Sequence, residues 1–295
     1  MVALGNFDGI HQGHCEVIHG LQVFKSRCKP CYTTVVAFDP HPQEFFTGQP
    51  RCLLTPAAEK ADLLAHLGVE QLLLLPFNEQ LASLSPHHFV KQILVEQLAA
   101  HHISVGFNFC FGHQRTGTAT DLTEIAHQYN ISVTIAAPRT QEGKPISSSA
   151  IREALETGQL QQANRMLGRA YQLRGEVVRG QQLGQTLGFP TANLSLPPEK
   201  FLPRQGVYSV RVESDLWDGT QIGVMNLGCR PTLGRQEQTI EIHLLDWSGD
   251  LYGHTLTVLL AQFLRPEHPF PSLDALKAQI QADCEASRTF LTSLA

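Results

Sequence analysis

The chain has 295 residues, which is enough for two domains that each bury a core of their own. Hydrophobic residues make up 42% and charged residues 17%, a composition typical of a globular protein. The formal net charge of -5 disfavours nucleic acid as the main partner, because surfaces that track phosphate backbones are usually basic.

The first residues contain no basic segment followed by a long apolar one, so we predict no signal peptide. No apolar run reaches the ~18 residues that a membrane-spanning helix needs, so we predict no membrane partner. Seven cysteines, an odd number scattered over a long chain, do not indicate a disulfide framework. We therefore predict a cytoplasmic protein.

Up to about residue 165, short apolar runs alternate with helix-like stretches. The runs are apolar on successive residues, which is typical of strands buried on both faces of a parallel sheet. The alternation predicts a doubly wound α/β domain whose ligand site lies beyond the carboxyl ends of the strands. The predicted strands are residues 2–4, 34–38, 72–75, 103–106 and 133–136, and the predicted helices include residues 57–67, 86–100 and 119–129.

The segment GNFDGIHQGH (residues 5–14), called the glycine-rich loop below, follows the first predicted strand and leads into a helix. Its glycines allow tight turns and a close approach to a phosphate, and the helix N-terminus offers N–H groups to an anion. His11 and His14 are three residues apart, so we expect both imidazoles on one face, donating to triphosphate oxygens. A glycine turn with two surface histidines is the alternative.

A second anion-binding segment is predicted at ISSSAIR (residues 146–152), which follows the last strand of the first half and opens a helix. Ser148 and Ser149 supply hydroxyls and backbone N–H groups, and Arg152 supplies a guanidinium. The serines also suit helix capping, which uses the same donors.

After about residue 170 the pattern changes to short β-rich segments separated by Gly, Pro, Asp and Asn turns. Six such strands without intervening helices predict a small barrel, followed by one amphipathic helix with Ser272 as its cap. We therefore predict two domains, residues 1–167 and 168–295. The predicted barrel strands are residues 173–178, 191–196, 207–212, 222–227, 239–245 and 255–263.

The barrel half contains GQTLGFPTANL (residues 184–194), which lacks the Gly-Lys-Ser/Thr ending of a Walker P-loop. Its glycines suit a mobile flap, and Thr191 and Asn193 offer oxygen ligands for Mg²⁺. A polar turn before a strand is the alternative. In IEIHL (residues 240–244) the three apolar side chains share one strand face, so Glu241 projects from the other.

Several of these segments resemble a known family. The glycine-rich loop resembles the His-x-Gly-His signature of nucleotidylyltransferases, and ISSSAIR resembles their Ile-Ser-Ser-Thr-x-Ile-Arg element. Further segments resemble the adenylyltransferase half of prokaryotic FAD synthetases, namely FDPHP (38–42), LLTPAAEKADLL (53–64), LSPHHFV (84–90) and VGFNFCFG (105–112). Others resemble riboflavin kinases, namely GFPTAN (188–193), GVYSVRV (206–212), MNLGCRPTLG (225–234), IEIHLLDWSGDLYG (240–253) and LRPEHPFPSLDALKAQI (264–280).

The resemblance implies a bifunctional enzyme that phosphorylates riboflavin to FMN and adenylylates FMN to FAD, with small-molecule partners riboflavin, FMN and ATP. It implies Mg²⁺ as cofactor, bridging phosphates and bound in the kinase half by Thr191 and Asn193. The implied catalytic residues are Glu241, as base, with Asn193, His11 and His14. The implied ATP contacts of the first half are Gly5, Phe7, Asp8, His11, His14, Ser148, Ser149 and Arg152, and the implied flavin contacts are Phe38, Pro40, Asn108, Phe111 and Arg230.

The chain departs from the family pattern at a few positions. Asn108 stands where Asp is more frequent, Cys110 replaces a polar or basic residue, and Ser149 replaces Thr. Gln185 occupies a position that is often Arg, which predicts a weaker phosphate contact under the flap. Met1 lies almost on the first strand, so we expect either a start further upstream or a sheet that lacks one edge.

Two other functions fit part of the pattern. One is an adenylyltransferase whose barrel only senses flavin; Gln185 favours it, whereas Thr191, Asn193 and Glu241 disfavour it. The other is a non-catalytic barrel protein that binds nucleotides or RNA. The acidic balance and the lack of a stripe of aromatic and basic residues disfavour that function.

Overall fold

The computed structural model describes residues 1–25, 31–180, 184, 187–232 and 235–293, with side chains at these positions except 230–232 and 235–237. The chain divides into two compact units, Met1–Ser148 and Ser149–Ala295. Among the described residues, no helix combines the length and the apolar character needed to cross a membrane. Gln185 lies outside the described residues.

A parallel sheet forms the centre of the first unit. Its strands, with two short hairpins, are β1 (Val2–Leu4), β2 (Thr34–Asp39), β3 (Gln71–Pro76), β4 (His102–Gly106), β5 (Cys110–Phe111), β6 (Gly117–Thr118), β7 (Ser132–Ala136), β8 (Thr140–Gln141) and β9 (Lys144–Pro145). Five of them pair side by side in the order β3-β2-β1-β4-β7, all parallel. Separate apolar clusters include alternate residues of β1 and β2, so the sheet is covered on both faces.

Helices connect these strands, and two further helices follow the last of them. They are α1 (Gln12–Lys25), α2 (Pro42–Thr47), α3 (Ala57–His66), α4 (Glu79–Ser83), α5 (Pro86–Phe89), α6 (Ala119–His127), α7 (Ser148–Glu156) and α8 (Leu160–Leu167). Gly20 lets α1 lie close to β4, because a Cβ there would be 2.6 Å from the Ser104 Oγ. The same Oγ donates to the Val17 carbonyl at 2.7 Å. The predicted doubly wound α/β fold is confirmed.

The segment predicted as one α-helix over residues 86–100 has a different form. After α5 the chain widens into a π-helical stretch, Val90–Gln97, and the Leu98 N–H bonds the Ile93 carbonyl at 3.0 Å, five residues back. Val90, Ile93 and Leu94 are buried in the larger apolar cluster. An apolar pattern of this length does not distinguish the two kinds of helix.

The second unit contains a closed antiparallel barrel, as predicted. Its strands are β10 (Tyr171–Val178), β11 (Ala192–Ser195), β12 (Gly206–Glu213), β13 (Gln221–Thr232), β14 (Arg235–Leu244) and β15 (Thr255–Arg265), closed in the order β10-β11-β14-β13-β12-β15. Along the described part of β14 and the first half of β15, buried aliphatic residues such as Ile240, Ile242 and Leu256 alternate with more exposed neighbours.

Helix α9 (Leu273–Thr292) packs against the outside of the barrel. The predicted cap is confirmed, because the Ser272 side chain accepts the Ala275 N–H at 3.1 Å. Cys284 packs with Val207 in an apolar cluster between the helix and the strands. The Ser287 Oγ donates to the Gly223 carbonyl at 3.0 Å.

Helix α8 also packs on the barrel, against β10 and β15. The Asn164 Nδ2 donates to the Leu260 carbonyl at 2.9 Å, and its Oδ1 accepts the Tyr171 N–H at 2.8 Å. The predicted boundary between residues 167 and 168 stays a prediction.

The cysteines are free thiols at Cys15, Cys52, Cys110, Cys229 and Cys284. Cys31 is disulfide-bonded, which the sequence did not lead us to expect.

Two candidate active sites

The glycine-rich loop is tied to the start of α3. Its backbone turns through left-handed conformations at Phe7 (φ 48°), Gly9 (φ 90°) and Ile10 (φ 40°). The Gly9 N–H donates to the Thr55 Oγ1 at 2.9 Å, and the Thr55 N–H donates to the Asp8 Oδ1 at 3.1 Å. The loop is therefore held in a strained path by buried hydrogen bonds, which pre-organises it for a ligand.

The two histidines of the loop stack on each other. Their ring centroids are 3.7 Å apart with planes 16° from parallel, and the His14 N–H donates to the His11 Nδ1 at 3.3 Å. A Cβ at Gly13 would be 3.1 Å from the His11 Cε1, so glycine leaves room for that ring. Both imidazoles thus lie together at the N-terminal end of α1, where anions bind favourably.

The predicted ISSSAIR contacts fall in both units. Ser148 is the last residue of the first unit, and its hydroxyl donates to the Asp8 carbonyl at 2.7 Å. Ser149 is exposed in the second unit. In that unit the Arg152 guanidinium lies over the Phe201 ring, 5.5 Å from its centroid. The structure therefore brings Ser148 to the glycine-rich loop, and the ATP contacts of Ser149 and Arg152 stay predictions.

Lys60 is a residue of this region for which the sequence reasoning gave no role. Only 6% of it is exposed, and its Nζ donates to the Asn6 carbonyl at 2.9 Å. The available signal is its spacing, because Lys60 precedes the buried Leu64 by one helical turn on α3. A lysine on the apolar face of a helix is unusual and indicates a specific partner.

Aromatic rings gather near the predicted flavin contact Phe38. Its ring meets Phe77 edge-on at 5.6 Å, and Phe45 and Phe46 also contact Phe77, at 5.3 and 5.7 Å. Phe46 is 68% exposed. The sequence signal was the adjacent phenylalanine pair just after FDPHP, to which we assigned no role.

The other predicted flavin contacts differ in exposure. Pro40 and Asn108 are exposed. Phe111 is only 5% exposed and packs against Phe89 at 5.4 Å and Phe109 at 5.7 Å, so its ring has little surface for a ligand. The side chain of Arg230 lies outside the described part of β13. These flavin contacts stay predictions.

In the second unit, polar side chains form a row across three neighbouring strands. Asn193 on β11 is directly opposite Glu241 on β14, and Glu241 is directly opposite Asn226 on β13. All three are partly exposed, whereas Ile240 and Ile242 are 5% and 1% exposed. Glu241 therefore projects away from the barrel interior, on the same face as the two amides.

The predicted metal ligands, Thr191 and Asn193, lie in the second half of the segment of residues 184–194. Thr191 and Asn193 are two residues apart at the start of β11, so they project from the same face. A Cβ at Gly180 would be 2.2 Å from the Asn193 Nδ2, and a Cβ at Gly184 would be 3.0 Å from the Thr191 Oγ1. A hydroxyl and an amide in such a cradle are oxygen donors that fit Mg²⁺. Over the described ranges, no cluster of three or more His, Cys, Asp or Glu side chains could hold a metal ion.

A second carboxylate lies close to the polar row. The Asn226 Nδ2 donates to the Glu267 Oε1 at 2.8 Å, and a Cβ at Gly228 would be 2.4 Å from that same oxygen. Glu267 follows β15, so only the tertiary structure brings it here. His243, next but one to Glu241, contacts the Pro190 carbonyl through Nδ1 at 2.8 Å.

Comparisons with known proteins match both units. The family model described as FAD synthetase matches residues 1–150, and the model described as riboflavin kinase matches residues 167–291. Proteins called bifunctional riboflavin kinase/FMN adenylyltransferase are 38% identical in Escherichia coli K12, over 98% of this chain and 92% of that protein. In Bacillus subtilis the identity is 34%, over 100% and 93%.

A solved structure extends the similarity to the fold of the whole chain. A crystal structure described as a macrolide-efflux protein from Streptococcus pneumoniae superimposes with a TM-score of 0.87 at 32% identity, covering 97% of this chain and 93% of that one. The two family models match residues 1–150 and 167–291, and these curated relatives align over 98% and 100% of the chain. The chain therefore belongs to the bifunctional riboflavin kinase/FMN adenylyltransferase family and is an enzyme of FMN and FAD biosynthesis.

Proposed function

We propose that the adenylylation of FMN takes place at the glycine-rich loop. The phosphate of FMN is already an anion at neutral pH, since its second pKa is about 6. It attacks the α-phosphorus of ATP, the bond to the bridging oxygen breaks, and pyrophosphate leaves. The reaction needs no general base, and the stacked His11 and His14 donate to the oxygens on which charge develops. Ser148 and the loop backbone position the triphosphate.

The phosphorylation of riboflavin belongs, in this proposal, to the polar row of the barrel. The terminal ribityl hydroxyl is protonated at pH 7, so its attack on the γ-phosphorus of ATP requires a base. Glu241 accepts that proton as the new oxygen–phosphorus bond forms and ADP leaves. Support comes from its position on the outer face, directly opposite Asn193.

Mg²⁺ would be held in the kinase site by Thr191 and Asn193. The ion supplies positive charge that neutralises the phosphates of ATP. The chain's own contribution is to orient the two oxygen donors, which lie in a cradle left open by Gly180 and Gly184.

In this proposal, the adenylylation of FMN belongs to residues 1–167 and the phosphorylation of riboflavin to residues 168–295. Each half has an apolar core of its own, and the two sets of candidate residues do not overlap. The substrates ATP, riboflavin and FMN are small molecules, and a cytoplasmic location supplies the ATP. The proposed function involves neither nucleic acid nor a membrane as a partner.

The observation that carries the proposal is the presence, on one chain, of two stacked histidines at a helix start and a separate glutamate–asparagine row. The test incubates the purified chain with riboflavin, ATP and Mg²⁺ and resolves riboflavin, FMN and FAD by chromatography over time. FMN is expected first and FAD second, with ADP and pyrophosphate as by-products. FMN that accumulates without FAD at adequate ATP and Mg²⁺ contradicts the adenylyl transfer step.

A further inference from the structure

Lys60 is a buried cation beside the glycine-rich loop, and the reaction steps described above give it no role. It is 6% exposed, and its Nζ donates to the Asn6 carbonyl at 2.9 Å. An ammonium group is costly to bury unless its charge is paired and hydrogen-bonded. The position of Lys60 therefore calls for a compensating interaction inside the site.

The Asn6 carbonyl is the direct partner of Lys60, and two carboxylates, buried Asp8 and exposed Asp39, act on its charge. Burial lowers the pKa of Lys60, whereas Asp8 and Asp39 raise it, and the net change is downward. Asp8 is itself 3% exposed, and its Oδ1 accepts the Thr55 N–H at 3.1 Å. Asp8 thus ties the loop to α3 by a charge-assisted hydrogen bond, and the consequence is a buried negative charge in the loop.

That negative charge opposes the binding of anionic substrates. Lys60 is a positive group that acts on Asp8, so replacing Lys60 with a neutral residue removes this compensation of the buried Asp8 carboxylate. ATP and FMN are both anions, and an uncompensated carboxylate in a site of low dielectric repels them strongly. Lys60 also engages the Asn6 carbonyl, which keeps that dipole directed at α3.

We propose that Lys60 is a positioning residue for adenylyl transfer, which holds the Asn6 carbonyl and offsets the charge of Asp8 so that the loop accepts the triphosphate of ATP. It acts through Asn6 and Asp8 and does not contact the substrate. The inference rests on the location of adenylyl transfer proposed above.

The first test replaces Lys60 with Met in the full chain, which keeps the aliphatic stem and removes the charge. FAD formation from FMN is measured over a range of ATP concentrations. The KM for ATP is expected to rise about tenfold or more while kcat changes less, because the lost charge acts on substrate binding. Lys91→Met removes an exposed lysine of the same unit and serves as matched control, with both constants unchanged. FMN formation by either variant stays within about two-fold of the parent.

The second test adds Asp8→Asn to the Lys60→Met variant. Asn keeps an Oδ1 acceptor for the Thr55 N–H and removes the negative charge. The KM for ATP of the double variant should therefore be several-fold lower than that of Lys60→Met, which reverses about half or more of the rise in log KM caused by Lys60→Met. A double variant with a KM equal to or above that of Lys60→Met overturns the proposal. If Lys60→Met does not fold, the double variant should fold, since it removes the buried charge of Asp8 together with that of Lys60; an unfolded double variant also overturns the proposal.

His14→Ala separates a failure of this inference from a failure of the site. If His14→Ala leaves FAD formation intact, adenylyl transfer does not occur at this loop, and the inference is overturned with it. If His14→Ala abolishes FAD formation but Lys60→Met leaves the KM for ATP unchanged, only the inference is overturned. The expected result is that both variants impair FAD formation and neither impairs FMN formation.

Discussion

The two histidines of the glycine-rich loop contact each other through the backbone and through their rings. The His14 backbone N–H donates to the His11 carbonyl at 2.8 Å, and the same nitrogen is 3.3 Å from the His11 Nδ1. The two rings stack with their centroids 3.7 Å apart, so the His14 side chain packs against the ring of His11.

Replacing His14 with Ala is expected to slow FAD formation by about 10²–10³-fold, the effect of losing one donor to a charge that develops in the transition state. The rates of the two half-reactions are measured on one preparation. FMN formation should be nearly unchanged. His19→Ala, an exposed histidine on α1, is the matched control and should affect neither. An equal fall in both reactions for His14→Ala would indicate a folding defect or one shared nucleotide site.

Replacing Glu241 with Gln keeps the shape and hydrogen bonding of the side chain and removes its basicity. FMN formation should fall about 10²–10⁴-fold, because the ribityl hydroxyl needs a base. FAD formation from supplied FMN should stay within a few-fold, since that nucleophile is already ionised. Initial rates of both half-reactions decide the matter, with the exposed Glu213→Gln as control.

If the kinase activity of Glu241→Gln stays within about five-fold of the parent, the loss is well short of a general-base effect. Another residue would then be the base. Two neighbours are then to be compared. His243 lies on the same strand face as Glu241 and contacts the Pro190 carbonyl. Asp246 is bound to Arg288 at 2.8 Å, which disfavours it as a base.

His102 connects the stability of the first unit to pH. Its ring stacks on Phe24 at 4.2 Å and contacts Ser132 and Thr134. Burial, and next the N-terminal ammonium, lower the pKa of His102 from 6.5 to about 4. The unfolded chain then binds the proton more readily, so this contribution to stability is complete above about pH 6.5 and is lost as the pH falls toward 4.

Between pH 7 and 4, we expect the free energy of unfolding of the first unit, measured from its urea transition, to fall by up to about 3 kcal/mol more in the parent than in His102→Gln. Far-UV circular dichroism follows both units. Both tryptophans, Trp217 and Trp247, lie in the second unit, so their fluorescence serves as the control. Parallel pH profiles for parent and variant would show that His102 does not titrate on unfolding.

Among the elements, strand β13 provides a packing surface for the segment that follows β15. Glu267 lies on Gly228 and accepts from Asn226. The start of the same segment is held by Arg265, whose Nη2 is 2.7 Å from the Asp283 Oδ2 on α9. The segment is therefore held at two places next to the strand face that carries Glu241.

Gly228→Ala should displace this segment, because the new Cβ would lie 2.4 Å from the Glu267 Oε1. FMN formation is expected to fall about tenfold or more, as a small misplacement near reacting groups can cost that much. FAD formation should not change. In a Glu267→Ala background the clash is absent, so Gly228→Ala should have no further effect on the kinase rate. If the effects of the two substitutions on the kinase rate multiply independently, the packing of Glu267 on Gly228 does not matter for the kinase reaction.

At the scale of the whole molecule, helix α8 decides how a kinase fragment should be cut. It buries Leu160, Ala163, Met166 and Leu167, and Asn164 bonds the barrel backbone. A fragment of residues 149–295 should therefore be more stable than one of residues 168–295 by several kcal/mol, at ~1.5–3 kcal/mol for each large apolar side chain kept buried. Both should phosphorylate riboflavin at low temperature, since Thr191, Asn193 and Glu241 lie in each.

Thermal unfolding and riboflavin phosphorylation of the two fragments are compared with those of the full chain. Equal melting temperatures would mean that α8 adds nothing to the barrel. An inactive 149–295 fragment, with an active full chain, would mean that the kinase depends on the first unit.

Local patterns in the sequence were sufficient for the elements and the architecture. Continuous apolar runs predicted the parallel strands, and alternation placed Glu241 away from the barrel interior, because the period of side-chain direction is a property of the backbone itself. The glycine spacing and the His11–His14 interval likewise predicted an anion loop at a helix start. The structure differs from the predicted elements only locally. An example is the π-helical stretch Val90–Gln97, whose apolar pattern also fits the predicted α-helix.

The sequence by itself determined the two-part organisation, the family resemblance and the position of the main motifs. Only the tertiary structure decided which distant groups meet: Lys60 with Asn6, 54 residues apart, and Glu267 with Asn226, 41 residues apart. Such contacts depend on how elements pack, and no periodicity within one segment encodes them. The burial of Phe111 and of Lys60 belongs to the same class, since exposure is set by neighbours that come from other parts of the chain.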